Sequence, residues 1–244
     1  MRTARIAAAV GLTAALGTGL IAASATTNGA AMHGHTGSPR AAGFAHPKPN
    51  PYYPLRPGTI SHLRGGEDGQ RLHERVTVTH LKKRIEGVRA TVVRDVLRRA
   101  DGSVAEKTHD WYAPDNRGNV WYFGEATATY DRHGNVLSRE GSWKAGVHGA
   151  VAGIIMPARP RATDAYRQEY YANHAEDQAW IVQRDAVVTG PLGTFHHVVR
   201  SFEWTRLEPR VMSLKFYARG LGIVSEQDVA GGNESFQLVD VTHG

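Results

Sequence analysis

DWYAPDNRGNVWYFGE, residues 110–125, places large aromatic residues on both sides of a polar turn, Asp115–Asn119. Gly and Asn readily adopt the positive φ angles that tight hairpin turns require. The stretch therefore predicts two paired strands joined at this turn. Aromatic pairs that face each other across such a hairpin stabilise it by roughly 0.2–1 kcal/mol each.

The same kind of signal recurs along the chain. The turn motif DNRGNV at Asp115 has a close copy, DRHGNV, at Asp131, and the segments 75–81 (RVTVTHL) and 88–97 (VRATVVRDVL) have strand-like patterns. The sequence thus predicts a mostly β fold, an antiparallel meander that forms a curved sheet or half-barrel with one or two short helices. The best helix candidate is 163–182, whose aromatic residues also permit strands.

The composition narrows the chemistry. The chain has 244 residues, a formal net charge of +6 and no cysteine. This length supports one well-buried domain. The lack of cysteine excludes disulfides, thiol catalysis and thiolate metal sites. The basic charge favours weak contacts with anionic surfaces.

The first residues have the pattern of an export signal. Arg2 and Arg5 precede an apolar run from residue 6 to 23, and the small residues Ala23-Ser24-Ala25 follow. This is the order of a secretory signal peptide, so we expect a secreted or extracytoplasmic protein. The expected organisation is a signal peptide at 1–25, a flexible linker at 26–49, rich in Gly, Ala, Pro and His, and a single β domain at 50–244.

Three further segments carry a resemblance. They are NPYYPLRPGT at 50–59, GPLGTFHHVVR at 190–200 and FYARGLGIVSE at 216–226. Together with the middle of the chain, they resemble an uncharacterised family of exported bacterial β proteins with a lipoprotein-carrier-like (LolA/LppX-like) curved sheet. The resemblance covers about residues 50–235 and implies a fold and a compartment, but no catalytic residues. One departure is ISHLRG at 60–65, where the wider set usually carries a Trp and a Tyr on the first strand.

The candidate ligand-binding residues come from the aromatic segments. Strict alternation along NVWYFGE places Trp121, Phe123 and Glu125 on one face and Tyr122 on the other. We expect Trp121 and Phe123 to line the concave face, with Glu125 and one Arg orienting a ligand. Further apolar area would come from three other aromatic residues, Trp111, Trp143 and Tyr170. Ordinary hairpin packing is the alternative explanation for the same pattern.

These observations predict an exported, non-enzymatic protein that binds a hydrophobic or amphipathic small molecule or a lipid. No motif marks a catalytic triad, a phosphate loop or a dinucleotide site, and no His or carboxylate spacing matches a recognised metal motif. We therefore expect no cofactor, no metal and no nucleic acid partner. Two alternatives stay open: an extracytoplasmic metal- or carboxylate-dependent hydrolase, and a module that binds a protein or the cell wall through exposed aromatic residues.

The export signal generates the first testable prediction. Cleavage after Ala25 leaves a mature chain that begins at Thr26. N-terminal sequencing of the extracytoplasmic protein checks this, and exported material that still begins at Met1 would contradict it.

Overall fold

The structure, a computed structural model, describes residues 39–244 and consists almost entirely of antiparallel strands. A short 3₁₀ helix, Ala41–Phe44, is followed by fifteen strands. The strands are β1 (Thr59–Glu67), β2 (Gln70–Ile85), β3 (Val88–Arg99), β4 (Val104–Pro114), β5 (Val120–Tyr130), β6 (Val136–Ser138), β7 (Trp143–Lys144), β8 (Val151–Met156), β9 (Ala165–Arg167), β10 (Glu169–Tyr170), β11 (Asp177–Gly190), β12 (Gly193–Thr205), β13 (Met212–Ala218), β14 (Gly222–Ala230) and β15 (Ser235–His243). Within the described range, no helix is long and apolar enough to cross a membrane.

The strands form two meanders within one sheet. Strands β1–β5 follow one another across one half of the sheet, and β11–β15 do the same across the other half. Pairing of β1 with β15 joins the two halves, with Thr59 opposite His243. The predicted mostly β, curved antiparallel sheet is thus confirmed.

The far edges of the two meanders are brought together by one short segment. Strand β9 pairs with β11, and β10 pairs with β8, which itself lies beside β5. Only Gln168 separates β9 from β10, and its N–H donates to the carbonyl oxygen of Asp177 at 2.8 Å. The sheet is therefore nearly closed and barrel-like, with one face turned inward.

The helix expected over 163–182 does not form, because this segment supplies β9, β10 and the start of β11. The two sheet edges carry backbone N–H and C=O groups that need partners, and an extended chain between them supplies those partners. Gly153 on β8 allows the close approach, since a Cβ at this position would lie only 2.4 Å from the Gln168 backbone.

The repeated turn motif folds in the same way both times. The Asp115 Oδ1 atom accepts backbone N–H groups of Arg117 and Asn119, at 2.8 and 2.9 Å. The Asp131 Oδ1 atom accepts the corresponding N–H groups of His133 and Asn135, at 2.9 and 2.8 Å. The predicted turns are confirmed, and the Asp side chain is what holds each of them.

Residues 41–49 pack on the domain. Phe44 makes edge contacts with Trp121 and Phe123, at ring-centroid distances of 6.3 and 5.6 Å. The N–H of Lys48 donates to the Asp115 carbonyl oxygen at 3.0 Å. Residues 41–49 belong to the segment expected to be a linker, and here they contact the domain through the Phe44 ring and through backbone hydrogen bonds with the turn. The expected signal peptide at 1–25 and residues 26–38 of the expected linker lie outside the described residues.

This packing gives a second prediction. Phe44→Ala removes the ring that covers Trp121 and Phe123, so we expect the free energy of unfolding to fall by about 1–3 kcal/mol, less than for a fully buried Phe. Lys48→Ala, at an exposed position in the same segment, is the control and should have little effect. Denaturant unfolding of the three proteins makes the comparison, and equal midpoints for all three would show that the segment contributes no stability.

Candidate ligand-binding cavity

The inward face of β4 and β5 is set by a bulge at Gly124. Tyr112 lies opposite Tyr122 and Asp110 lies opposite Glu125, so β5 contains one more residue than β4 between these pairs. Gly124 has a φ of 120°, and a Cβ there would lie 2.3 Å from the Trp143 carbonyl oxygen. Glycine is therefore required at this bulge. The bulge places Glu125 on the same face as Tyr122.

The expected sharing of one face by Trp121, Phe123 and Glu125 is consequently wrong, because strict alternation does not hold across a bulge. Trp121 and Phe123 lie on the outer face, under Phe44. The Trp121 indole N–H donates to Asp115 Oδ2 at 3.0 Å, which ties the ring to the turn. Neither ring lies on the concave side of the sheet.

The three other aromatic residues predicted to bind a ligand, Trp111, Trp143 and Tyr170, do not lie together. Trp111 is on the outer face of β4, with the Lys83 ammonium 3.5 Å above its ring centroid. Trp143 lies opposite Glu125 and makes an edge contact with Tyr122 at 5.3 Å. Tyr170 is half-buried in β10, with the Arg167 guanidinium 4.3 Å above its ring. Of the six predicted residues, Glu125 and Trp143 are the two that meet at the inner face.

A cavity of about 110 Å³ lies inside the sheet, between β1–β4 on one side and β14 on the other. The segment Tyr53–Leu55 forms part of its wall. Both apolar and acidic side chains face it, including Glu74, Val76 and Val78 of β2, Val93 and Asp95 of β3, Asp110 and Tyr112 of β4, and Ile223 and Glu226 of β14. None of the six predicted residues lines this cavity.

The sequence contains a signal for these missed residues. Glu74, Val76 and Val78 alternate along β2, and Asp110 and Tyr112 alternate along β4 with Trp111 between them. When an acidic residue alternates with β-branched residues along a strand, its carboxyl group lies on the same, otherwise apolar face of the sheet. Three of the aromatic residues of the hairpin, Trp111, Trp121 and Phe123, lie on its outer face instead. Two of the segments that carry the family resemblance also reach the cavity, through Tyr53–Leu55 and Leu221–Ile223.

The interior of the sheet holds an unusual number of buried carboxyl groups. Those with less than 10% of their surface exposed and with an inward position are Glu74, Asp95, Glu106, Asp110, Glu125, Glu169, Asp177, Glu203 and Glu226. An ionised carboxylate that leaves water loses several kcal/mol of solvation unless it is paired. The protonation state of these carboxyl groups therefore determines how much their burial lowers the free energy of unfolding.

The pKa values follow from this burial. Desolvation raises the pKa of Asp110 to about 7, against the opposing effect of hydrogen bonds from Tyr122 and Tyr112. Burial raises the pKa of Glu125 well above its usual range, and the neighbouring charges of Asp110 and Glu169 raise it further. Asp177 also reaches about 7 through burial, although its hydrogen bond with Thr205 opposes the shift. Burial at these three positions therefore favours the neutral carboxyl group, for Asp110 and Asp177 up to a pH of about 7.

A tyrosine hydroxyl joins two of these groups. The Tyr122 hydroxyl lies 2.9 Å from Asp110 Oδ1 and 3.1 Å from Glu125 Oε2. Its single proton satisfies one carboxylate at a time. Sharing the hydroxyl therefore suits a pair in which at least one carboxyl group keeps its own proton. Tyr112, which lines the cavity with Asp110, stacks on the Tyr122 ring at a centroid distance of 4.7 Å.

On the opposite side of the interior, a buried lysine contacts two carboxyl groups. The Lys215 Nζ atom lies 3.4 Å from Glu203 Oε2 and 3.3 Å from Glu226 Oε2. Burial alone would lower the pKa of Lys215, but Glu203 and Glu226 outweigh it, and the pKa is raised. Glu203 is further held by the hydroxyls of Tyr217 and Ser201, at 2.7 and 2.9 Å. The lysine thus places a cationic partner beside two carboxyl groups on this side, whereas Asp110 and Glu125 have a tyrosine hydroxyl between them.

Among residues 39–244, no group of three or more His, Cys, Asp and Glu side chains is arranged to hold a metal ion.

Comparisons with known proteins find only distant structural likenesses. No family model and no curated protein matches the chain. A "putative exported protein with YmcC-like fold" from Bacteroides fragilis shares 15% identity and a TM-score of 0.44, over 81% of this chain and 99% of that one. A "putative lipoprotein" from Parabacteroides distasonis shares 11% identity and a TM-score of 0.44, over 80% and 100%. Likenesses at this level carry no inference about the activity of this chain.

The raised pKa values give a third prediction. The folded protein keeps the Asp110 proton at pH values where the unfolded chain has released it, so this group lowers the free energy of unfolding as the pH rises from about 4 to about 7. Each pKa unit corresponds to about 1.4 kcal/mol. Asp110→Asn should therefore gain stability relative to the parent as the pH increases from 5 to 7.5.

Denaturant unfolding at several pH values measures the effect. The His109 ring acts in the opposite sense, because desolvation lowers its pKa, so the comparison uses the difference between parent and variant. Glu140→Gln, at an exposed position, is the matched control and should run parallel to the parent. An Asp110→Asn curve that also runs parallel to the parent would show that Asp110 is ionised when buried.

Proposed function

We propose that this protein is an exported, non-enzymatic binding protein that holds a hydrophobic or amphipathic small molecule inside its curved sheet. The observation that carries the proposal is the cavity between β1–β4 and β14. Ligand pockets in proteins usually combine an apolar lining with a few placed polar groups. The cavity has this composition, with Val76, Val78 and Val93 beside Asp110 and Tyr112.

The size of the cavity limits the ligand. An engineered, apolar protein cavity of about 150 Å³ accommodates benzene. At about 110 Å³, this cavity suits a short chain or a small ring, unless Tyr53–Leu55 moves. A whole diacyl lipid exceeds this volume, so binding of such a lipid would require the cavity to open.

The compartment supports the same proposal from a different direction. The N-terminal pattern favours export, and an exported binding protein meets small molecules outside the cytoplasm. The rival interaction module requires exposed aromatic residues, whereas Trp111, Trp121, Phe123 and Trp143 are each no more than 5% exposed. Buried aromatic rings contribute to the stability of the hairpin rather than to a docking surface.

The proposal can be tested by filling the cavity with a larger side chain. Val76 lines it, so Val76→Phe should occupy the space and weaken binding of 1-hexanol, a neutral amphiphile, at least ten-fold. Val229→Phe makes the same change at a position that is 46% exposed and should leave binding unchanged. Titrations followed by protein NMR chemical shifts give the affinities, and unfolding midpoints check that both variants fold, since overpacking costs about 1–3 kcal/mol.

Binding of 1-hexanol to the parent that is lost only in Val76→Phe supports the proposal. Two results would contradict it: no shift changes in the parent at millimolar 1-hexanol, or equal affinities in the parent and a folded Val76→Phe variant.

A further inference from the structure

Acidic and basic residues are direct neighbours at several places along the first meander. There are four such pairs on β2, β3 and β4: Glu74-Arg75, Arg94-Asp95, Glu106-Lys107 and His109-Asp110. Successive residues of a strand point to opposite faces of the sheet. The acidic member of each pair is buried on the inner face, so the basic member points outward. Charges that nearly cancel along the sequence are therefore separated by the sheet.

Strand pairing collects the outward basic residues into one surface, which we call the basic face. It consists of three adjacent cross-strand rows: Arg64, His73 and Arg98; His62, Arg75 and Lys107, with Val96 between the last two; and Arg94 and His109. Adjacent strands lie about 4.8 Å apart, and residues two apart on a strand are separated by about 7 Å. The basic face therefore extends over roughly 14 Å both along and across the strands.

The basic face is open to solvent and free of acidic residues. Five of its side chains are exposed and three are half-buried. Within β1–β4, which the structure describes completely, no Asp or Glu occupies an outward position. Asp240 of β15 lies at the rim, opposite His62. The ion pairs found among residues 39–244 involve other basic side chains, those of Arg132, His197, Arg206 and Lys215.

The positive charges of this face act on one another. Desolvation lowers the pKa of His109, and the charges of Lys107, Arg94 and Lys83 lower it further. Like charges that lie opposite each other on neighbouring strands are destabilising. An anionic partner relieves this repulsion, so the basic face is complementary to a negatively charged surface.

We propose that the basic face docks the exported protein on the surface of an anionic phospholipid membrane. Four of its five Arg and Lys residues are Arg, whose planar guanidinium group donates two parallel hydrogen bonds to phosphate oxygens. The charges form a two-dimensional array, as lipid head groups do, whereas a single polymer chain would follow one line across it. The basic face lies outside the sheet and the cavity lies inside it, so docking does not depend on the proposed function.

Vesicle co-sedimentation at pH 7.5 tests the docking. The protein, purified from outside the cytoplasm, is mixed with vesicles of phosphatidylcholine alone or of equal parts phosphatidylcholine and phosphatidylglycerol. We expect binding to the mixed vesicles to be at least ten-fold tighter than to the neutral ones. High salt should abolish this difference, because it screens charges that are exposed to solvent.

Two double variants of equal net charge locate the contact. Arg75→Gln with Lys107→Gln removes two exposed charges from the basic face. Each Lys or Arg near an anionic membrane changes the partition coefficient about five-fold, so binding to the mixed vesicles should weaken at least ten-fold. Arg184→Gln with Arg210→Gln removes two exposed charges from the other half of the chain and should leave binding unchanged. Unfolding midpoints check that both variants fold.

Three results would overturn the inference. If the parent binds both kinds of vesicle equally, charge does not direct the contact. If the two double variants weaken binding equally, the net charge acts and the basic face does not. If the parent binds soluble polyphosphate but no mixed vesicles, the partner is an anionic polymer and not a membrane.

The basic residues have an alternative role, in which they only balance the inward carboxyl groups. In that case the variant with Arg75→Gln and Lys107→Gln would be less stable but would bind mixed vesicles as the parent does, which would also overturn the docking. Titration of the same variant with 1-hexanol reports on the cavity separately. Unchanged 1-hexanol binding with weakened vesicle binding supports the inference, and failure of either proposal leaves the other standing.

Discussion

A sheet that closes on itself must remove one whole face from water, and the rest of this structure depends on that constraint. The closure needs two contacts: β1 against β15, and the segment of β9 and β10 against β11 and β8. Every second residue of the long strands then points into the interior, whatever its chemistry. Nine inward residues are carboxylic acids. Burial raises the pKa of four of them, Asp110, Glu125, Glu169 and Asp177, and Lys215 contacts two others, Glu203 and Glu226.

The two sides of the interior meet this constraint differently. Near Lys215, charge is balanced by charge, with Glu203 and Glu226 within 3.4 Å of the ammonium group. Near Tyr122, Asp110 and Glu125 share a hydroxyl and have raised pKa values. Replacing a buried polar cluster with apolar residues is often neutral or stabilising. Stability alone therefore does not explain why the interior contains these acids.

The sequence predicts the strands and turns well because their signals are local. DNRGNV and DRHGNV carry the Asp, Gly and Asn that the turn needs, and each closes on its own Asp side chain. The face of Glu125 was not predictable by alternation, since it depends on the bulge at Gly124. A glycine within a strand often marks a bulge. Gly124 therefore signals a bulge, but the sequence does not show how the residues on either side of it pair with the neighbouring strand. The packing of Phe44 depends on Trp121, which is distant in sequence. The strands in 163–182 form because they pair with other strands, and a local sequence pattern does not identify those partners.

The central claim is that burial inside the closed sheet raises the pKa of Asp110 to about 7, so that this carboxyl group stays protonated in the folded protein at mildly acidic pH. Infrared spectroscopy observes this directly, because a protonated carboxyl group has a carbonyl stretching band distinct from that of a carboxylate. At pH 6 the account predicts a protonated-carboxyl band in the parent protein and a smaller band in Asp110→Asn. A spectrum at pH 6 in which all carboxyl groups are already ionised would contradict the account.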